Sequence, residues 1–164
     1  MRGSGGRSAH RRTSRGTLWR ILLLALAAAA TAGCGDDQDP QGAKAFWDKI
    51  HAESYRSWAR APGYETRKPT NAPHSDEVDI YLNPTMADAL ASGAATFPVG
   101  SIIAKDGYNG SEHAIIAAME KRDAGWYWAE WDADSAGEAD YSGAPAICTD
   151  CHASGKDYVR FMNP

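Results

Sequence analysis

The run Cys148-Thr149-Asp150-Cys151-His152 constrains this chain more than any other stretch, and only twelve residues follow it. Two thiols spaced by two residues reach both vinyl groups of one porphyrin while the next imidazole meets the iron, so the run reads as an attachment site for one c-type haem. Cys148 and Cys151 are the expected thioether sites, and His152 the expected proximal iron ligand. A redox dithiol would not need the adjacent histidine, and a zinc site would need a second ligand pair. The chain has three cysteines, and the third, Cys34, stands alone.

Residues 1–33 read as an export signal rather than as fold. Arg2, Arg7, Arg11, Arg12, Arg15 and Arg20 form a basic region, Ile21 to Ala30 a short apolar one, and Thr31-Ala32-Gly33-Cys34 ends it with small residues before a cysteine. The apolar run falls short of the roughly 20 residues that span a bilayer. Its end resembles a bacterial lipobox, with Thr31 where a larger aliphatic is usual, which makes Cys34 the expected lipid anchor. Residues 34–42 then form a polar tether. The expectation is an exported protein of the periplasm or cell envelope, held to a membrane by lipid alone.

Removing residues 1–33 takes away six arginines and no acid, so the formal charge falls from −4 to −10. Such a balance argues against a nucleic-acid partner. Residues 43–164, about 120 in all, suit one domain with one core. Export agrees with the motif, because c-type haem is attached outside the cytoplasm.

Within that domain, Ala43 to Arg60 reads as an amphipathic helix with Trp47, Ile50, Ser54 and Trp58 on one face. Val78 to Leu82 alternates as a strand does, and Asn83-Pro84 starts a short helix that ends before Gly93. Ser101 to Lys105 is expected to pair with Glu112 to Lys121 across a turn at Asp106 to Gly110, although His113 to Arg122 also has helical content. Trp126 to Trp131 is an aromatic strand, Ser135 to Pro145 a polar loop, and Tyr158 to Phe161 a last short strand. The expected fold is α+β, an antiparallel sheet with an N-terminal amphipathic helix and a short helix on one side of it and one c-type haem near the C-terminus.

The position of the motif narrows the kind of haem protein. A class I cytochrome c carries its motif near the N-terminus and reaches a distal methionine much later. Met162 lies only ten residues beyond His152, too little chain to circle the ring. A four-helix cytochrome c prime also ends in this motif, but the short segments between Val78 and Trp131 do not supply four long helices.

An ordered set of segments carries a closer likeness: Tyr55-Arg56-Ser57-Trp58, Ala72-Pro73-His74, Tyr81-Leu82-Asn83-Pro84, Phe97-Pro98-Val99-Gly100 followed by Lys105, Gly125-Trp126-Tyr127, the haem motif, and Asp157 to Phe161. In this order the chain resembles the cytochrome P-460 family and the related beta-sheet cytochromes c prime beta. The resemblance implies a β-rich fold with one covalent haem c and an open or weakly occupied distal side. In catalytic members a lysine after a Phe-x-x-Gly segment is joined to the porphyrin edge, and Lys105 stands at that position. The alternative for Lys105 is a strand lysine with its amine in solvent.

His74 falls where the family contributes a distal-pocket residue, a place in which catalytic members carry an aromatic hydrophobe. A histidine there could bind iron as sixth ligand, donate to a bound ligand or shuttle protons, or merely hydrogen-bond at the start of a strand. Asp76, Glu77, Glu138 and Asp140 are candidates for a distal carboxylate, His113 is expected to be exposed, and His51 packed or at the surface. Three functions stay open. By resemblance, the chain oxidises hydroxylamine, with nitric oxide as co-substrate or product and a soluble cytochrome taking the electrons. Alternatively it binds nitric oxide or another gas without turnover, or transfers electrons through His74/His152 ligation. The aromatic surplus would also allow a homodimer.

Overall fold

The computed structural model describes residues 38–71 and 73–162, all within the unit Cys34–Pro164. The export signal at 1–33, the lipid site at Cys34, the tether as far as residue 37, and Ala72 lie outside the described residues. The elements are α1 (Pro40–Ala52), a single 3-10 turn (Tyr55–Ser57), β1 (Ala59–Arg60), β2 (Lys68–Pro69), β3 (Glu77–Leu82), α2 (Pro84–Ala91), β4 (Ile102–Asn109), β5 (Glu112–Arg122), β6 (Gly125–Asp132), β7 (Ala139–Gly143) and α3 (Ala146–His152). Seven antiparallel strands form one sheet in the order β1-β3-β4-β5-β6-β7, with β2 also on β3. The α+β architecture is as expected.

The helices do not share one side. Phe46 and Ile50 of α1 pack on Tyr81, Ile102, Ala104, Ile116, Tyr127 and Trp131, on one face of the sheet. Met86 and Ala89 of α2 and Cys148 of α3 pack against Val78, Ile80, Ile103, Met119 and Trp128, on the other. Strand alternation explains the division: successive side chains point to opposite faces, so strands buried on both sides read as nearly continuous apolar runs.

Several boundaries differ from the sequence expectation, each for a local reason. The first helix starts at Pro40, because the Asp39 side chain accepts from the Gly42 N–H (2.9 Å) and Pro40 suits the first turn. It ends at Ala52, because Ser54 takes a left-handed backbone (φ 52°), and the 3-10 turn then redirects Tyr55 and Arg56. Their target is Asp106, fully buried, which accepts from Tyr55 Oη (2.6 Å) and Arg56 Nε (2.6 Å). Paired in this way, Asp106 sits inside a strand rather than in a turn, and β4 runs on to Asn109. His113 is half-buried rather than exposed, its Nε2 lying 3.1 Å from Asp106 Oδ1.

The loop expected at Ser135 to Pro145 contains edge strand β7, whose Ser142 Oγ accepts from the Asp39 N–H (2.8 Å). The strand expected at Tyr158 to Phe161 is instead a turn, with an isolated bridge between Lys156 and Val159. His51 is exposed and stacks on Trp47.

Asn83 ties three pieces together at the start of α2. Its Oδ1 accepts from the N–H groups of Met86 and Ile102 (both 2.9 Å), and its Nδ2 donates to the Gly100 carbonyl (2.8 Å). Asn83→Ala removes a helix cap and strands two further buried groups, so it should cost about 2–4 kcal/mol. Urea denaturation would show this as a lower midpoint at unchanged slope; a midpoint unaltered within error would contradict it.

Candidate functional site: one cavity against the sheet

The sheet register lays a single row of residues across β3 to β7. Ile80 pairs with Lys105, Lys105 with Ala117, Ala117 with Glu130, and Glu130 with Tyr141. All five line one cavity. Directly paired residues lie on the same face, so the row sets a basic and an acidic side chain two strands apart with a methyl group between them. The small Ala117 leaves room above the sheet, and the cavity encloses about 1060 Å³ of atom-free space with its open mouth included.

α3 closes one side of this space. Its Cys148, Cys151 and His152 all line the cavity, three and four residues apart on one helical face. The chain then doubles back, and His152 Nδ1 donates to the Tyr158 carbonyl (2.8 Å). That bond fixes the tautomer and leaves Nε2 with its lone pair. Burial pushes the His152 imidazole down to about 4, against the opposing pull of the Tyr158 carbonyl, so the ring is neutral at physiological pH. Trp128 packs edge-on at 6.2 Å between ring centres. Cys148 is buried enough to push its thiol up to about 11, while Cys151 Sγ accepts from Arg160 Nη1 (2.9 Å).

His74 enters from the segment before β3. Gly107 makes that approach possible: a Cβ there would lie 2.8 Å from the His74 carbonyl and 2.6 Å from Ser75 Oγ. His74 Nδ1 donates to Glu130 Oε2 (2.5 Å), and its ring centre lies 6.4 Å from that of His152. The Lys105 amine has no hydrogen bond or ion pair among the described residues. Burial pushes its ammonium down to about 8, Arg160 adding to the effect and Glu130 opposing it.

The five site residues expected within the described chain, Lys105, His74, Cys148, Cys151 and His152, thus meet in one cavity. The four expected distal carboxylates, Asp76, Glu77, Glu138 and Asp140, do not line it. Glu130 lines it instead, and sequence reasoning overlooked it although alternation from Trp126 and Trp128 puts it on their face. Arg160 was likewise missed. Met162 packs near Tyr64 and Leu90, outside the cavity lining.

The lining suits a flat, mostly apolar group. Ile80, Ile103, Met119, Trp128, Val159 and Phe161 supply apolar walls, with polar groups at a few points. Trp128 Nε1 is buried without a partner among the described residues, an orphaned donor beside the space. Two thiols and a neutral imidazole with a free nitrogen complete a donor set for iron and porphyrin.

The family model for cytochrome P460 matches residues 52–160. The chain belongs to the cytochrome P460 family. No curated protein matches it significantly. The match runs from the end of α1 through β7 and α3 to Arg160, so it covers every residue of the transverse row and the haem motif. Membership implies a haem, and the lining of this cavity fits one.

In the protein without haem, the Lys105 Cε resonance should titrate near pH 8, followed by carbon NMR. Ordinary lysines titrate near 10.4. A Lys105 midpoint in that ordinary range would show the amine to be solvated and would contradict the enclosed geometry.

Proposed function

We propose that this chain is a mono-haem c-type cytochrome that oxidises hydroxylamine, with nitric oxide as co-substrate or product. Gathering Lys105, the His74–Glu130 pair and the Cys148–His152 motif around one cavity is the observation that carries the reading. Cys148 and Cys151 would form the thioethers and His152 Nε2 would hold the iron. Bound there, the haem supplies the ligand site and takes the electrons.

The remaining roles fall to the chain's own side chains. Each electron withdrawn from hydroxylamine releases a proton, and His74 is the base in reach. Glu130 orients His74 through Nδ1 and leaves Nε2 free, as a carboxylate does for a catalytic imidazole. Lys105, enclosed and easily deprotonated, is the nucleophile for a third covalent link at the porphyrin edge, its nitrogen replacing one ring hydrogen while two electrons and two protons pass to an oxidant of the peroxide class. The same proposal includes export through residues 1–33, a lipid anchor at Cys34 in the cell envelope, a soluble cytochrome as electron acceptor and a homodimeric assembly.

A second reading has its own support. The 6.4 Å between the His74 and His152 ring centres suits two imidazoles sharing one metal, and a carboxylate on Nδ1 is the usual partner of a metal-bound histidine. On that reading the protein transfers electrons through a six-coordinate haem.

The test is hydroxylamine consumption by the haem-loaded protein with an artificial one-electron acceptor. The first reading predicts turnover that falls about 100-fold or more in Glu130→Gln. Nitric oxide binding without turnover would leave a gas-binding protein. Low-spin spectra indifferent to hydroxylamine and nitric oxide would establish the electron-transfer reading instead.

A further inference from the structure

We propose that Asp157 is a positioning residue for the proximal ligand: its carboxylate fastens a left-handed turn to the sheet and so holds the Tyr158 carbonyl on His152 Nδ1. The inference rests on the reading of His152 as the iron ligand.

Asp157 and Tyr158 both take left-handed backbone conformations, with φ of 44° and 65°. Aspartate tolerates this region and tyrosine does not, so two such residues in succession need outside support. Asp157 provides it from three directions. Its Oδ1 accepts from Lys121 Nζ of β5 (2.8 Å) and Trp126 Nε1 of β6 (3.4 Å), and its Oδ2 accepts from the Phe97 N–H ahead of β4 (2.8 Å). Val159, almost wholly buried, anchors the far side of the turn. Gly155 admits the tight winding, since a Cβ there would stand 2.6 Å from the Val159 carbonyl.

The product of this fastening is one carbonyl in one place. Tyr158 O lies 2.8 Å from His152 Nδ1, the atom opposite the nitrogen that would bind iron. A carbonyl in that position draws on the Nδ1 proton and makes the imidazole a stronger donor to the metal, which favours ferric over ferrous iron. Without the clamp, strain would release the turn and carry the carbonyl away from the ring.

The test uses the full chain matured with haem. Asp157→Asn is expected to shift the haem reduction potential to a more positive value and to lower the ferrous iron–imidazole stretching frequency. Lys121→Met withdraws one donor while leaving the turn's own residues intact, and should move the potential the same way by less. An unmoved potential in D157N, with or without lost stability, overturns the proposal by reducing Asp157 to a packing role. Should D157N fail to hold haem, an unmoved potential in K121M overturns it equally. His152→Ala separates this inference from the reading beneath it. An H152A spectrum identical to wild type overturns the ligand assignment and the proposal together; an altered H152A spectrum beside an unmoved D157N potential overturns the role of Asp157 alone.

Discussion

The register of β3 to β7 is the constraint on which the rest depends. Because antiparallel pairing places Lys105, Ala117 and Glu130 side by side on one face, a base, a gap and an acid are set before any loop is added. A slip of one residue in either hairpin would turn Lys105 or Glu130 onto the α1 face, among Phe46, Ile50 and Trp131. Burial on both sides resists that slip, since β3, β4, β5 and β6 each contribute to both cores. Even the charge is divided: Lys105 faces the cavity, and its neighbour Asp106 faces away to Tyr55 and Arg56.

Upon this platform the irregular segments complete the site. The stretch before β3 brings His74 over Gly107 to Glu130, and α3 with its returning turn brings His152 to the opposite side. Neither segment is held by regular pairing, and each is fastened by polar contacts to the sheet. The flanks, rather than the row, set what faces His152 across the cavity.

Much of this was legible in the sequence where local chemistry is specific. The haem motif, the Asn83-Pro84 cap and the alternation of Val78 to Leu82 each carry their own physical signature, and the order of segments pointed to Lys105. Periodicity could not reveal that Ser54 turns left-handed, so the first helix was drawn too long. Tyr158 to Phe161 alternates like a strand, yet Asp157 fixes it as a turn through partners 31 to 60 residues distant. Strand β7 was lost because an edge strand is free to be polar. Glu130 was passed over for a similar reason: the strand itself was legible, but not which strands lie beside it, and a carboxylate becomes a site residue only through its neighbours.

The central claim is that residues separated by up to 78 positions, from His74 to His152, surround one covalently held haem. Proteolysis of the haem-loaded protein followed by mass mapping of the haem-bearing peptide tests it most directly. The account predicts porphyrin on the peptide containing Cys148 and Cys151, with the Lys105 peptide joined to the same ring. Porphyrin that dissociates from every peptide, or is found attached away from Cys148 and Cys151, would contradict it.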